Sequence, residues 1–152
     1  MLPDPKKMTI VLASDHAGYE MKEKVKQYLD EQGYKTQDFG AFTYDKEDDY
    51  PDFILPAAHV VGNSDHALGI IFGGSGQGEA MAANRVKGVR AAVYYDGPEE
   101  IVKLSRHHNN ANILSLGARF VAVEKALVVI NLWLHEPFEG DRHERRIQKL
   151  DH

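Results

Sequence analysis

The chain has 152 residues, of which 43% are hydrophobic and 27% charged, so its length and composition suit a single globular domain. Its formal net charge of −5 argues against general binding to nucleic acids or anionic membranes, because either would need a basic face. It contains no cysteine, which excludes disulfides, thiolate metal sites and a cysteine nucleophile.

The chain also has no membrane-spanning pattern. Its longest apolar stretch, residues 126–134, is far shorter than the roughly 20 residues that cross a bilayer. Residues 1–7 contain two prolines and two lysines but no apolar signal core, so we expect a flexible lead-in before one domain at 8–152. A cytoplasmic location follows as the default expectation.

Short apolar runs alternate along the chain with longer segments of helical periodicity. In chain order, the predicted strands cover residues 8–13, 34–39, 67–72, 89–95 and 112–116. The predicted helices cover residues 17–32, 51–61, 79–86, 97–108 and 121–134, with an acidic loop at 41–49 and a local distortion at Pro56. Buried strands alternating with helices indicate an α/β protein, a three-layer α/β/α sandwich around a five-stranded parallel sheet.

Polar or glycine-rich segments follow four of the five predicted strands. Ligands of parallel sheets bind beyond the carboxyl ends of the strands, so these segments are expected to converge on one crevice. The segments are Ser14-Asp15-His16, the glycine loop at 73–78, Asp96 and Gly117-Ala118-Arg119.

The glycine loop favours an anion site, because glycines let main-chain N–H groups face a ligand at the start of a helix. A tight strand-to-helix turn is the alternative. The loop fails the dinucleotide fingerprint, since Glu79 or Met81 replaces the last glycine, and it fails the P-loop pattern, since Glu79 replaces the lysine. Asp96, placed like a ribose-binding acid, keeps a nucleotide site as a minor alternative.

Glu79 is the candidate general base. A carboxylate beside main-chain donors can take a proton from a carbon next to a carbonyl while the donors stabilise the enediolate oxygen. The alternative is a surface glutamate favoured by the helix dipole. The helix terminus would lower the carboxyl pKa, so a base at this position needs burial or a nearby phosphate to raise it.

Basic side chains form three further candidates. Arg142 and Arg146 are four residues apart, so they would share a helix face suited to a phosphate, or form a solvated terminal helix. Arg119 stands without charged neighbours in the sequence. His107 and His108 end a helix, as a proton donor or as a cap. No two histidines are spaced four apart on one helix, so no metal site is predicted.

Seven short motifs lie in order along the chain. They are Ser14-Asp15-His16-Ala17-Gly18, Asp49-Tyr50-Pro51, Gly73-Gly74-Ser75-Gly76-Gln77-Gly78-Glu79, Ala82-Ala83-Asn84-Arg85, Gly88-Val89-Arg90, Ser105-Arg106-His107-His108-Asn109 and Gly117-Ala118-Arg119. In order and spacing, from about Met8 onward, they resemble the B-type ribose-5-phosphate isomerases, a family that includes galactose-6-phosphate and allose-6-phosphate isomerases.

The resemblance implies a cofactor-free aldose-ketose isomerase that acts through a cis-enediolate. It also implies a Rossmann-like homodimer, sometimes paired into tetramers, whose active sites are shared between chains. One branch of the family uses a cysteine base at the end of the third strand, where this chain has Gly73. A second branch uses a glutamate in the helix after the glycine loop, the position of Glu79.

The resemblance also implies roles for individual residues. Glu79 would be the base, Ser75 would assist proton transfer, Asp15 would hold hydroxyls near the ring oxygen, and His108 of a neighbouring chain would protonate that oxygen. The anion hole would be the N–H groups of Gly74, Gly76, Gln77 and Gly78. The phosphate would bind His16, Arg119, Arg142 and Arg146, and the sugar would contact Tyr50 and Asn109.

The substrate is expected to be ribose 5-phosphate and its product ribulose 5-phosphate. Two alternatives remain open at this stage. One is an isomerase of a hexose 6-phosphate, allose or galactose, or of a rare aldose, on the same fold. The other is a nucleotide-binding α/β module without catalysis.

Overall fold

The computed structural model describes residues 4–151, which contain five strands and six α-helices. The strands are β1 (Thr9–Ser14), β2 (Lys35–Asp38), β3 (Ala67–Gly73), β4 (Ala91–Tyr94) and β5 (Ile113–Gly117). The helices are α1 (His16–Glu31), α2 (Pro51–Gly62), α3 (Gln77–Ala83), α4 (Glu99–His107), α5 (Val123–His135) and α6 (Arg142–Ile147).

All strand pairs are parallel, and the strand order is β2-β1-β3-β5-β4. The predicted α/β/α sandwich with a five-stranded parallel sheet is therefore confirmed. From β1 the chain first moves outward to β2 and then returns past β1 to β3. Such a reversal opens a crevice beyond the carboxyl ends of β1 and β3, where ligands of this class of sheet bind.

Alternate residues of each central strand enter two separate cores. Ile10 and Leu12 pack with α1 and α5, whereas Val11 and Ala13 pack with α2 and α3. Because β1 is covered on both faces, its sequence is a continuous apolar run without polar alternation. The two cores fix the strands from both sides and hold their carboxyl ends in register.

Element boundaries differ from the sequence-based predictions around α3. The helix starts at Gln77, two residues before the predicted start at Glu79, because Gly76 has a left-handed φ of +79° and serves as its N-cap. The helix ends at Ala83, and the next residue, Asn84, is its C-cap. The Asn84 side chain accepts from the N–H of Ala91 at 2.8 Å and donates to the carbonyl of Ala91 at 3.0 Å. These bonds tie the end of α3 to the start of β4. Elsewhere, Pro56 does not interrupt α2.

Residues 1–3 of the predicted lead-in lie outside the described part of the chain. Pro5–Lys7 form a single 3-10 turn, capped by the side chain of Asp4. The ammonium group of Lys6 contacts the carbonyl of Gln32 and lies 4.4 Å from the centre of the Tyr34 ring. No helix within residues 4–151 is long and apolar enough to span a bilayer.

Candidate active site

The glycine loop after β3 is held against the end of β5 by several hydrogen bonds. The buried Ser115 hydroxyl donates to the carbonyl of Gly76 at 2.7 Å. The N–H groups of Ala118 and Arg119 donate to the carbonyls of Gly73 and Gly74, at 2.8 and 3.0 Å. These bonds occupy loop carbonyls, and the first N–H groups of α3 have no acceptor within the helix. An anion at this position would therefore meet donors.

Ser75 and Gln77 lie at the entrance to α3. The N–H of Gln77 donates to the Ser75 hydroxyl oxygen at 3.3 Å, so this hydroxyl sits at the start of the helix. Tyr50 comes from the turn before α2 and meets the loop from the other side. A Cβ on Gly78 would lie 2.9 Å from the Tyr50 hydroxyl oxygen, which explains why this position is glycine.

The Glu79 side chain points into the protein and is only 5% exposed. Its carboxyl group lies over Gly73, the last residue of β3, where an added Cβ would collide with it. Burial raises the pKa of Glu79, the charge of Asp15 raises it further, and its own main-chain N–H and Arg119 lower it. Glu79 is therefore buried, as a base at this position requires. The alternative prediction of a surface glutamate is wrong about the position of this side chain.

Asp15 and His16 follow β1 directly. Asp15 caps α1, because its Oδ1 accepts from the N–H groups of Ala17 and Gly18 at 3.0 and 3.3 Å. His16 is partly exposed, and its Nδ1 lies 2.7 Å from Oδ1 of Asp48. This bond is the main reason that the pKa of His16 is raised.

Arg119 extends from the turn after β5 across the glycine loop. A Cβ on Gly74 would lie 2.9 Å from one guanidinium nitrogen of Arg119. Its charge lowers the pKa of both His16 and Glu79, so it acts on both sides of the crevice. Asp96, by contrast, follows the edge strand β4, which is two strands from β3. This placement separates the nucleotide-type acid from the β1–β3 crevice.

A second group of predicted site residues lies elsewhere: His108, Asn109, Arg142 and Arg146. Helix α4 runs back along the sheet, so the residues that follow it reach the amino edge, where the carbonyl of Asn112 accepts from the N–H of Gly69 at the start of β3. His108, Asn109 and Arg146 line one cavity of about 280 Å³ there. Within one chain they are thus separated from Glu79 by the length of the strands.

A histidine cluster orders this second group. The rings of His108 and His143 stack with centroids 4.5 Å apart and an interplanar angle of 17°. Glu139 lies among them: its Oε2 is 3.2 Å from Nε2 of His107, 3.4 Å from Nε2 of His143 and 4.0 Å from Nε2 of His108. Arg142 approaches Oε1 of Glu139 at 3.6 Å. The carboxylate of Glu139 thus lies within 4.0 Å of four basic side chains.

Two groups of side chains have the donor types for a metal ion. Within residues 4–151 they are His107, His108 and Glu139 at the amino edge, and Asp15, His16 and Asp48 at the carboxyl edge. Sequence spacing missed both, because their members come from different segments. In each group a carboxylate is already close to an imidazole nitrogen, and the expectation of no metal site stays a prediction.

Sequence reasoning also missed three supporting side chains. Ser115, in the middle of an apolar strand, gave no signal beyond its polarity. Asp48 was one of several acids in the loop 41–49, and Glu139 was one of several acids after α5. Only in the folded chain does Ser115 reach the carbonyl of Gly76, Asp48 reach His16, and Glu139 reach the histidine cluster.

Comparison with known proteins places the chain in one family. The family described as Ribose/Galactose Isomerase matches residues 10–150. Ribose-5-phosphate isomerase B of Mycolicibacterium paratuberculosis is 41% identical over 144 residues, which cover 94% of this chain and 89% of that protein. The probable ribose-5-phosphate isomerase B of Mycoplasma genitalium is 43% identical over 142 residues, covering 93% of this chain and 92% of that protein.

Solved structures give the same result. Ribose-5-phosphate isomerase B of Mycoplasma genitalium, with bound ribulose-5-phosphate, has a TM-score of 0.89 and 42% identity, covering 94% of this chain and 93% of that one. The protein from Thermotoga maritima has a TM-score of 0.88 and 41% identity, covering 95% and 97%. The chain therefore belongs to the ribose/galactose isomerase family.

Proposed function

We propose that the protein interconverts ribose 5-phosphate and ribulose 5-phosphate by proton transfer through a cis-enediolate, without a cofactor. The buried carboxyl group of Glu79, set beside the glycine loop at the end of β3, is the observation that carries this proposal. The relatives named ribose-5-phosphate isomerase B support the choice of a pentose.

Glu79 acts as the base in the first half of the reaction and as the acid in the second half. Its carboxylate takes the proton from C2 of the open-chain aldose, and the C–H electron pair forms the C1–C2 double bond as the carbonyl oxygen becomes negative. Ser75 assists the transfer of the proton from O2 to O1. Glu79 then returns its proton to C1, which leaves the carbonyl at C2. The raised pKa of Glu79 suits a group that must accept and release a proton near neutral pH.

The glycine loop stabilises the charge that develops on the enediolate. Main-chain N–H groups of Gly74, Gly76, Gln77 and Gly78 are the proposed donors, since donors fixed in advance stabilise a developing oxyanion strongly. His16 and Arg119 bind the phosphate at the same edge of the sheet. The cationic form of His16, favoured by its carboxylate neighbours, suits this role.

Tyr50 contacts the sugar and Asp15 holds its hydroxyls, both from the same chain as Glu79. The four residues of the amino-edge group come from a neighbouring chain: His108 protonates the ring oxygen during opening, Asn109 contacts the sugar, and Arg142 and Arg146 complete the phosphate site. The amino-edge location of His108 and Asn109 supports this division, because one chain cannot bring them to its own Glu79. We therefore propose a homodimer or tetramer with shared active sites, acting in the cytoplasm on a free phosphosugar.

A hexose 6-phosphate is the second candidate substrate, favoured by the galactose in the family's description. One hydroxymethyl contact is worth only about 1 to 3 kcal/mol, so both sugars need direct comparison. The test measures kcat/KM on ribose 5-phosphate, allose 6-phosphate and galactose 6-phosphate. The highest value on ribose 5-phosphate is expected, and a higher value on either hexose would overturn the choice of substrate.

Glu79→Gln is the matching test of the base. It keeps the side-chain shape and removes the proton acceptor, so kcat should fall on the order of 100-fold or more while substrate still binds. Glu100→Gln is the control, because Glu100 also lies in the first turn of a helix but is exposed. Unchanged turnover in Glu79→Gln removes Glu79 from the mechanism.

A further inference from the structure

Asp48 is turned inward from a loop that is otherwise exposed. Residues 42–47 are all exposed, whereas the Asp48 side chain is only 8% exposed. Its Oδ2 is buried without a hydrogen-bond partner. The start of the loop is fixed to the end of β1, where Ser14 exchanges main-chain hydrogen bonds of 2.7 Å with Gly40 and Ala41. Asp48 is thus brought to a defined position beside the crevice.

Oδ1 of Asp48 holds His16 at two points. It accepts from the main-chain N–H of His16 at 3.1 Å and lies 2.7 Å from Nδ1 of the ring. A carboxylate can only accept, so Nδ1 carries the hydrogen. Nε2 is then the ring nitrogen that remains for a ligand, and the edge-on contact with Tyr44, with centroids 6.0 Å apart, further restricts the ring.

We propose that Asp48 is a positioning residue for phosphate binding: it orients the His16 ring and keeps it cationic, so that Nε2–H donates to the phosphate of the substrate. This inference rests on the proposed function, because it takes His16 as a phosphate ligand. Asp48 itself does not contact the substrate. A carboxylate behind an imidazole is a common way to fix both the tautomer and the charge of the ring.

The charges around His16 agree with this role. The bond to Asp48 is the largest cause of its raised pKa, and the charges of Asp15 and Asp48 act in the same direction. Partial burial and the positive charge of Arg119 oppose them. Protonated His16 also neutralises Asp48, whose carboxylate would otherwise repel a phosphate dianion. Loss of the imidazole proton at higher pH removes both effects together.

If Asp48 only anchored the loop, its hydrogen-bond acceptor would matter but its negative charge would not. Asp48→Asn separates the two roles, since the amide oxygen can still accept from His16 but carries no charge. Glu47→Gln is the matched control: it removes one charge from the same loop, at an exposed side chain. Thermal unfolding of the three proteins shows whether the loop anchor is preserved.

The test combines NMR titration of the His16 ring with kinetics and binding of inorganic phosphate. In Asp48→Asn, the pKa of His16 should fall, and KM for ribose 5-phosphate at pH 7.5 should rise about tenfold with kcat within about twofold, the loss expected of one charge-assisted hydrogen bond. The rise in KM should be smaller at pH 6. Glu47→Gln should match the wild type, and Asp48→Asn should add nothing to His16→Gln.

The proposal is overturned if the pKa of His16 is the same in Asp48→Asn and the wild type, or if the rise in KM persists unchanged in the His16→Gln background. Phosphate affinity measured by calorimetry decides the matter independently of turnover. A wild-type protein that binds phosphate through His16 but isomerises no sugar phosphate would refute the proposed function and leave the role of Asp48 standing.

Discussion

The carboxyl group of Glu79 fills the space directly over the Cα of Gly73, so a side chain at residue 73 and the carboxyl group of Glu79 exclude each other. The resemblance to the B-type isomerases implies a cysteine base at the position of Gly73 in one branch of that family. The base that we propose here, Glu79, would reach the same point from α3 instead of from the end of β3. In this chain the absence of a side chain at residue 73 is what admits the glutamate.

Gly73→Ala should inactivate the enzyme without unfolding it. The new Cβ collides with the flexible end of the Glu79 side chain, which can rotate away at small cost, but the displaced carboxylate no longer faces the substrate. A fall in kcat of about 100-fold is expected, since small misplacements of a catalytic group reduce rates on that scale. Steady-state kinetics and thermal unfolding check both parts. A Tm far below that of the wild type would show that residue 73 matters for packing instead.

The rate should depend on the ionisation of Glu79. Only the carboxylate can accept a proton, so kcat should rise with pH through the pKa of Glu79 and then level off. Because burial raises this pKa, the midpoint should lie above the ordinary glutamate value of 4.5. A pH profile of kcat from pH 4 to 8 measures it. A rate that is already at its plateau at pH 4 would contradict the assignment.

Glu79→Gln should be more stable than the wild type at neutral pH. The raised pKa means that folding favours the protonated carboxyl, so the wild type loses stability as pH rises from the unfolded-state pKa to the folded-state pKa. The amide does not ionise and avoids this loss. The Tm of the variant should therefore exceed that of the wild type at pH 7.5, and the difference should shrink toward pH 4. An equal Tm difference at both pH values would exclude an ionisation effect.

Two inactive variants should restore each other if the active site is shared. In a mixed dimer of Glu79→Gln and His108→Gln chains, one site carries both substitutions and the other carries none. Random exchange of subunits should therefore recover about a quarter of the wild-type activity. Activity assays after co-refolding test this, with each variant refolded alone as the control. No recovery in a mixture that demonstrably contains mixed dimers would place both residues in one chain's site.

The fold was predictable because its elements follow simple rules. Continuous apolar runs such as that of β1 indicate strands covered on both faces, and their alternation with helices leaves a parallel sheet as the solution. The carboxyl-edge rule then located Asp15, Glu79 and Arg119 in one region. Boundaries were less accurate where one side chain decides them, as at Asn84, whose bonds to Ala91 end α3.

The supporting contacts of the site were beyond sequence reasoning. Asp48 reaches His16 across 32 positions, and Ser115 reaches Gly76 across 39, so no local pattern reports either bond. The same holds for the burial of Glu79, which helix position alone could not decide. The spacing of residues along one helix could not reveal the histidine cluster either, because His143, which stacks on His108, lies on a different helix.

The hydrogen bonds that join the glycine loop to β5 affect how a ligand is received. With the carbonyls of Gly73, Gly74 and Gly76 already fastened, the loop has little conformational freedom left to surrender when a ligand arrives. Amide exchange in the loop should therefore be slow already in the free protein, and ligand binding should change it little. Selectivity would come from the fixed shape of the cleft and not from a loop that closes around the ligand.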